Sequence, residues 1–95
     1  MLTGKQKRFL RSEAHHLHAI FQVGKDGVND NQIQGISDAL EAQELIKVKL
    51  LDNCSEDIHQ VALELSLHTK AEIIQLIGRT IVLYRQSEKR LYKLP

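Results

Sequence analysis

The sequence has few of the residues that cross-link or interrupt small folds. It contains one cysteine, Cys54, no tryptophan, and a single proline, Pro95, at its last position. One cysteine excludes an internal disulfide and is typical of proteins of the reducing cytosol. Because the chain also lacks repeats and low-complexity stretches, we find no linker and expect a single domain over residues 1–95.

Long apolar segments are absent as well. The longest uninterrupted apolar runs extend over only a few residues, which is too short to cross a bilayer. The charged N-terminus has no apolar region of the kind that signal peptides carry. We therefore expect a cytoplasmic protein that has no contact with membranes, and we expect it to be a monomer.

The charge of the chain is sorted by position. Residues 1–25 carry five cations and one acid, which gives +4, and residues 78–95 carry five cations and one acid, again +4. Residues 26–77 carry three lysines and ten acids, which gives −7. The net charge of +1 therefore conceals a bipolar molecule. If the fold brings the two ends together, the basic face that results indicates a polyanionic partner, most commonly nucleic acid.

The apolar pattern predicts an α/β domain with the order α-β-α-β-α-β-β. Helical spacing indicates helices over residues 3–18, about 29–43 and about 55–69. Alternating or continuous apolar runs indicate strands over residues 19–23, 45–50, 71–77 and 80–85. The last two strands are predicted to meet at a type II′ turn, Gly78-Arg79. We expect a four-stranded mixed sheet with the helices packed on it.

The segment Gly24-Lys25-Asp26-Gly27 is a candidate binding loop between a strand and a helix. Two glycines allow the backbone to approach another molecule closely. Free amide groups at the following helix N-terminus and the charge of Lys25 would together suit a phosphate, as in the Gly-x-x-Gly loop of KH domains. The alternative is an ordinary tight turn, because this motif is short and common.

The first predicted helix carries a basic stripe. On a helical wheel, Lys7, Arg8, Arg11, His15 and His18 fall within an arc of about 100° that lies opposite the apolar side. Such a stripe is either a solvated face or a binding surface. The stripe lacks the interspersed acids that would form pairs four residues apart, which favours a binding surface.

No motif indicates catalysis or a metal site. Only His15 and His18 would share a helix face, while His59 and His68 have no partner at zinc-motif spacing. The nucleophile-elbow and zinc-protease motifs are absent, and no pair of carboxylates is arranged for acid–base work. We therefore expect a protein that is not an enzyme and that uses no metal or cofactor.

Four stretches of the chain resemble the CRM domain family, named for chloroplast RNA splicing and ribosome maturation, and above all its stand-alone bacterial YhbY type. They are residues 2–7, 23–28, 44–49 and 77–85, of which the last is the most specific. The resemblance implies a fold like the C-terminal domain of bacterial translation initiation factor three. It also implies RNA binding through the Gly-x-x-Gly loop and the adjacent basic surface, on precursors of the large ribosomal subunit.

On these grounds we predict a non-catalytic RNA-binding protein of ribosome biogenesis that binds large-subunit precursor rRNA. The predicted contact residues are Gly24, Lys25, Asp26, Gly27, Lys5, Lys7, Arg8, Arg11, His15, Lys47, Lys49, Arg79 and Arg85. The alternative is a protein–protein adaptor that docks through Leu63 and Leu67 or through the last strand. RNA binding would weaken steeply with salt, whereas an apolar interface would not.

Overall fold

The computed structural model describes residues 2–95 as three helices and four strands. The elements are α1 (Gly4–Ala14), β1 (Ala19–Val23), α2 (Asp30–Gln43), β2 (Leu45–Leu50), α3 (Ile58–Thr69), β3 (Glu72–Ile77) and β4 (Thr80–Tyr84). All four strands belong to one sheet. The α/β class, the element order and the mixed sheet are confirmed. Among the described residues, no helix has the length and apolarity that a membrane crossing requires.

The sheet has the strand order β1-β2-β4-β3. β2 pairs in parallel with β1 and antiparallel with β4, and β4 pairs antiparallel with β3. β4 lies between two strands, and its continuous apolar sequence reflects burial on both faces by helices, as predicted. The last strand is therefore not a free edge, and the version of the adaptor alternative that docks a partner on it is wrong.

The sheet separates two hydrophobic layers. On one face, α2 and α3 pack around a core that includes Ile36 and Leu65, together with Ile81 and Leu83 of β4. On the other face, α1 packs through Leu10 on the core that contains Val82 and Tyr84 of the same strand. Alternate residues of one strand thus supply both cores, because side chains of a strand alternate between the faces of its sheet.

Short polar side chains fix where the helices begin. The Thr3 hydroxyl accepts from the Gln6 amide (3.1 Å), and the Gln6 side chain accepts from the Thr3 amide (2.9 Å), which is a capping box. Asn29 and Asp57 cap α2 and α3 by accepting from backbone amides of the first turn. At the β3–β4 turn, Gly78 has a φ of +57°, as the predicted type II′ turn requires.

Two helices are shorter than predicted. α1 ends at Ala14 and not at residue 18, because the chain tightens there and Leu17 turns inward onto the α1-side core. α3 begins at Ile58 and not near residue 55, because the Asp57 carboxylate is its cap. The apolar periodicity continues after the end of α1 and begins before the start of α3, since loop residues there also contribute to the core.

Glu44 caps the end of α2 and directly precedes β2. Its φ is +67°, which ends the helix, and its amide donates to the Leu40 carbonyl (2.8 Å). Its own carbonyl accepts from the amide of Arg85, the residue that follows β4 (2.9 Å). The backbone of one residue thus joins the end of a helix to two neighbouring strands.

The Glu44 side chain holds the C-terminal segment. It is fully shielded from solvent and accepts hydrogen bonds from the Ser87 amide (2.9 Å), the Ser87 hydroxyl and the Tyr92 amide (3.4 Å). Burial raises the pKa of Glu44, but the hydrogen bonds from Ser87 and from the amides of Leu91 and Tyr92 more than offset it. The pKa therefore lies below the usual 4.5.

Replacing Glu44 with Gln is expected to lower the free energy of unfolding by about 2 kcal/mol at neutral pH, because hydrogen bonds to a buried charged group are lost. A carboxylate whose pKa is lowered by folding stabilises the protein above its unfolded pKa, near 4.5, and this contribution is lost as the pH falls through the folded pKa. In urea unfolding, the difference between wild type and Glu44→Gln should therefore stay constant from neutral pH to about 4.5 and shrink only as the pH falls further, through the folded pKa. The exposed Glu41→Gln variant is the control, and a difference that does not shrink at low pH would contradict an ionised Glu44.

Candidate nucleic-acid interface

The two faces of the sheet are covered by helices of opposite charge. On one face, α1 carries four cations and one acid, which gives +3. On the other face, α2 and α3 together carry four acids and neither lysine nor arginine, which gives −4. The sorting of charge along the sequence thus becomes a sorting between two layers. We call these the basic layer, formed by α1, and the acidic layer, formed by α2 and α3.

The cations of the basic layer are accessible to different degrees. Lys5 and Arg8 are exposed, whereas Lys7 and Arg11, one turn apart, are half-buried. The side chain of Gln6, which is also on α1, donates to the Pro95 carbonyl (3.1 Å). The two ends of the chain therefore meet, but the C-terminal cations do not all join the basic layer, since Arg85 bonds to α2 and α3 and Lys89 lies beside Asp38 and Glu41.

The Gly24–Gly27 loop is a tight turn with an exposed tip. The Gly27 amide donates to the Gly24 carbonyl (3.0 Å), and Lys25 and Asp26 are exposed between them. Gly27 has a φ of +68°, and a β-carbon there would collide with the carboxylate of Glu56. The fold therefore favours glycine at this position whether or not the loop holds a ligand, because another residue would be strained at this φ and would displace the end of the Glu56 side chain.

Two neighbouring segments border this loop at one end of the sheet. The amide of Leu51, which follows β2, donates to the Val23 carbonyl just before the loop (2.9 Å). Arg79, in the β3–β4 turn, donates to the carbonyls of Leu50 (3.3 Å) and Leu51 (2.9 Å). We call this the loop end of the sheet. It brings together Lys25 and Arg79, two of the predicted contact residues.

Lys47 and Lys49 extend the basic layer toward the loop end. They alternate along β2 with Ile46, Val48 and Leu50, which belong to the core beneath α2 and α3. The two lysines therefore lie on the opposite face of the sheet, which α1 covers. Lys47 is half-buried and donates to the Leu17 carbonyl before β1 (3.1 Å). Lys49 is exposed and lies opposite Thr80, the first residue after the turn that contains Arg79. Lys49 is therefore the freer of the two lysines.

Sequence reasoning missed the acids of the loop end. Glu56 lies against Gly27, and Asp52 lies 4.0 Å from Arg79. Both follow β2, which is parallel to β1, and the carboxyl ends of adjacent parallel strands lie at the same edge of a sheet. The parallel pairing of β1 and β2 is the feature from which the positions of Glu56 and Asp52 beside the loop could have been predicted. With Asp26 at the tip, the loop end carries three acids beside its cations, so it is less positive than α1.

Arg85 lies away from the loop end, contrary to the prediction that it joins the same contact surface. It follows β4, six residues after Arg79, which is roughly 20 Å along a strand. Its guanidinium donates to the Ser37 hydroxyl (3.1 Å), the Ser37 carbonyl (2.8 Å) and the Thr69 carbonyl (2.7 Å). These bonds tie α2 to the end of α3, so the side chain has a structural role.

The histidines do not form the predicted stripe. His15 is exposed but follows the last residue of α1, and His18 lies outside the helix, so the two share no helix face. Within residues 2–95, no three His, Cys, Asp or Glu side chains come together in a way that could hold a metal ion. Cys54 is buried in the acidic-layer core.

Comparison with known proteins gives consistent matches over the chain. The family model described as CRS1/YhbY (CRM) domain matches residues 2–85. The Bacillus subtilis protein named "Probable RNA-binding protein YqeI" is 60% identical over 96 residues and is covered completely, as is this chain. A Haemophilus influenzae protein named "RNA-binding protein" is 38% identical, with 99% of this chain and 95% of that protein covered.

A solved structure matches the whole fold. The solution structure of the Staphylococcus aureus hypothetical protein SAV1595, which is described as a candidate RNA-binding protein, has a TM-score of 0.83. The two chains are 52% identical, and the match covers 100% of each.

Gly27→Ala is expected to lower the free energy of unfolding by about 1–2 kcal/mol, because an L-residue at positive φ costs about 1 kcal/mol and the new methyl group must displace Glu56. Gly78→Ala is the matched control, since Gly78 also has a positive φ but has open space around it. Urea unfolding of both variants separates the two contributions. A loss below about 0.5 kcal/mol for Gly27→Ala would contradict the structural requirement for glycine.

Proposed function

The chain belongs to the CRS1/YhbY (CRM) domain family, and we propose that it binds RNA through the basic layer and the adjoining loop end of the sheet. The observation that carries this proposal is the separation of charge, +3 on α1 against −4 on α2 and α3. The names of its relatives, which refer to RNA binding, support it. The acidic layer would repel phosphates and so orient the protein on RNA.

The exposed cations would make the first contacts. Lys5 and Arg8 on α1 and Lys49 on β2 have accessible charged groups on the same side of the sheet. Each would neutralise a phosphate and release counterions, which favours binding without regard to sequence. The two tyrosines of the chain pack edge to face against each other, and neither lies on α1 or at the loop end, so stacking on bases would contribute little to the contacts made there.

Lys25 would add one phosphate contact at the loop end. Its exposed side chain lies at the tip of the turn that the Gly27 amide closes, so the turn hydrogen bond leaves its charge free. Because Asp26, Asp52 and Glu56 surround this end, we assign the loop a single positioned phosphate and the basic layer the larger electrostatic share.

We propose precursors of the large ribosomal subunit as the RNA, because the sequence resembles the stand-alone CRM proteins that act there. The protein would act in the cytoplasm as a non-catalytic monomer. A second candidate function has one favouring observation: Leu63 and Leu67, one turn apart on α3, are 49% and 70% exposed. A protein partner docked there would bind with little salt dependence, which separates it from RNA binding in the same titration.

Replacing Lys7, Arg8 and Arg11 together with Gln is expected to weaken RNA binding and leave the fold intact, since Gln keeps the helix propensity and the packing of the stems. Each phosphate interaction that is removed should reduce the slope of log affinity against log salt by roughly 0.7–0.9. The measurement is fluorescence anisotropy with a labelled single-stranded RNA at several salt concentrations. Arg8→Gln and Lys89→Gln form a matched pair, because Lys89 lies beside the acidic layer. Unchanged affinity and slope in the triple variant would mean that α1 is only a solvated face.

Lys25→Glu is expected to reduce affinity about tenfold, because an attractive charged contact becomes a repulsion, while stability changes by no more than about 0.5 kcal/mol at this exposed tip. Crosslinking in cells, followed by sequencing of the bound RNA, measures both the effect and the target. Wild-type crosslinks should concentrate in large-subunit rRNA, and those of Lys25→Glu should fall, whereas Asp26→Asn should not reduce them. Wild-type crosslinks spread over unrelated RNAs would contradict the ribosomal target, and normal crosslinking of Lys25→Glu would reduce the loop to a structural turn.

A further inference from the structure

We propose that a cavity at the end of the sheet opposite the loop end binds a nucleotide, a function that goes beyond the RNA contacts described above. The cavity has a volume of about 730 Å³, which is within the range of small-molecule sites. It lies between the start of α1, the start of β3 and the segment after β4. Leu2 and Gln6 line it from α1, and Tyr84 lines it from the sheet.

Three cations at this cavity have no carboxylate partner. Lys70, Arg90 and Lys93 line it and are exposed, and the ion pairs found within residues 2–95 involve other cations. Glu72 lines the same cavity and pairs with none of the three. Three cations around one concave surface favour an anion of more than one charge, such as a phosphate group.

Two of these cations have an unfavourable backbone conformation. Lys70 has a φ of +62° and Arg90 a φ of +48°, both in the left-handed region that favours glycine. Lys70 directly follows the last residue of α3, where glycine is the most frequent residue. Glycine would suit both φ angles better, although the dipole of α3 also favours a cation at Lys70. Strained, charged positions of this kind are typical of ligand sites.

A buried hydroxyl adds a third observation. Tyr84 is 3% exposed, and its hydroxyl has no hydrogen-bond partner among the described residues. Burial raises the pKa of Tyr84, and the charges of Glu44 and Glu72 raise it further, so the hydroxyl keeps its proton. A buried polar group without a partner costs about 1–3 kcal/mol. Because the hydroxyl oxygen is itself shielded from solvent, a ligand in the cavity would recover this cost only if the groups that cover the hydroxyl moved aside.

The combination of these groups defines the ligand class. The three cations suit a phosphate, and the side chains of Leu2, Tyr92 and Leu94 offer an apolar wall for a flat ring. The carboxylate of Glu72 can accept from an amino or imino group on a base edge. A phosphate joined to a base is a nucleotide. Two sources supply this chemistry, a free nucleotide and one nucleotide of a bound RNA chain.

The first test is titration of isotope-labelled protein with each of the four 5′-mononucleotides, followed by amide chemical shifts. Binding should shift the amides of residues 70–72, 84–86 and 90–94 and should saturate. Inorganic phosphate is the comparison probe and should bind about tenfold more weakly, because it lacks the base. Equal binding of phosphate and all four mononucleotides, or shifts confined to other residues, would overturn the proposal.

The second test removes two of the three cations by substitutions that suit the backbone conformation at both positions. The double variant Lys70→Gly, Arg90→Gly should be at least as stable as wild type, because glycine suits both φ angles, and it should lose about tenfold or more in mononucleotide affinity. Lys89→Ala removes a neighbouring cation that does not line the cavity and should leave affinity unchanged. Tyr84→Phe should retain stability but bind more weakly. Wild-type affinity in the folded double variant would overturn the proposal.

A labelled single-stranded RNA separates the two sources. If the site takes a nucleotide of bound RNA, the double glycine variant should also bind this RNA more weakly, and mononucleotides should compete with it. If the site takes a free nucleotide, RNA affinity should stay unchanged while mononucleotide binding is lost. Both results support the site. The variants of Lys7, Arg8 and Arg11 test the proposed function without touching the cavity, so the two proposals fail separately.

Discussion

The buried carboxylate of Glu44 is the interaction on which the rest of the structure depends. Its backbone ends α2 and bonds to the residue after β4, and its side chain binds the amides of Ser87 and Tyr92. The ten residues after Arg85 contain no helix or strand, so this carboxylate supplies much of their order. Because the segment is held, Tyr92 and Leu94 reach the α1-side core, and the two ends of the chain meet.

The apolar side chains that β4 presents on both faces determine how charge is distributed. Helices cover these side chains on both sides of the sheet, and each helix brings its own solvent-facing charges. α1 comes from a basic stretch of sequence, and α2 and α3 come from an acidic one, so the two layers have opposite sign. The loop end, where acids from the segment after β2 offset Lys25 and Arg79, lies between these extremes. This distribution favours a polyanion that lies along α1 and touches the loop at its edge.

The sequence predicted what depends on local pattern and missed what depends on tertiary contact. Periodicity located all seven elements, because burial of one helix or strand face leaves a repeat that can be read directly. It could not distinguish Arg85 from a surface arginine, since the carbonyls that bind its guanidinium belong to residues 48 and 16 positions away. It also extended α1 to His18, because Leu17 continues the apolar pattern after the helix has ended. The role of Glu44 was invisible for the same reason, as its partners Ser87 and Tyr92 lie 43 and 48 residues away.

The residues with positive φ show that the two ends of the sheet are built differently. At the loop end, Gly27 and Gly78 occupy such positions, so the backbone bends there without strain. At the other end the same region of φ is occupied by Glu44, Lys70 and Arg90. The hydrogen bonds that Glu44 receives offset its strain within the protein itself. Lys70 caps the end of α3 and the Arg90 amide donates to the Ser87 carbonyl (3.2 Å), which offsets part of the strain, but their exposed side chains have no carboxylate partner in the described chain. A bound anion would pair with these two free charges, whereas at the loop end glycine carries the bends and the cations lie beside acids.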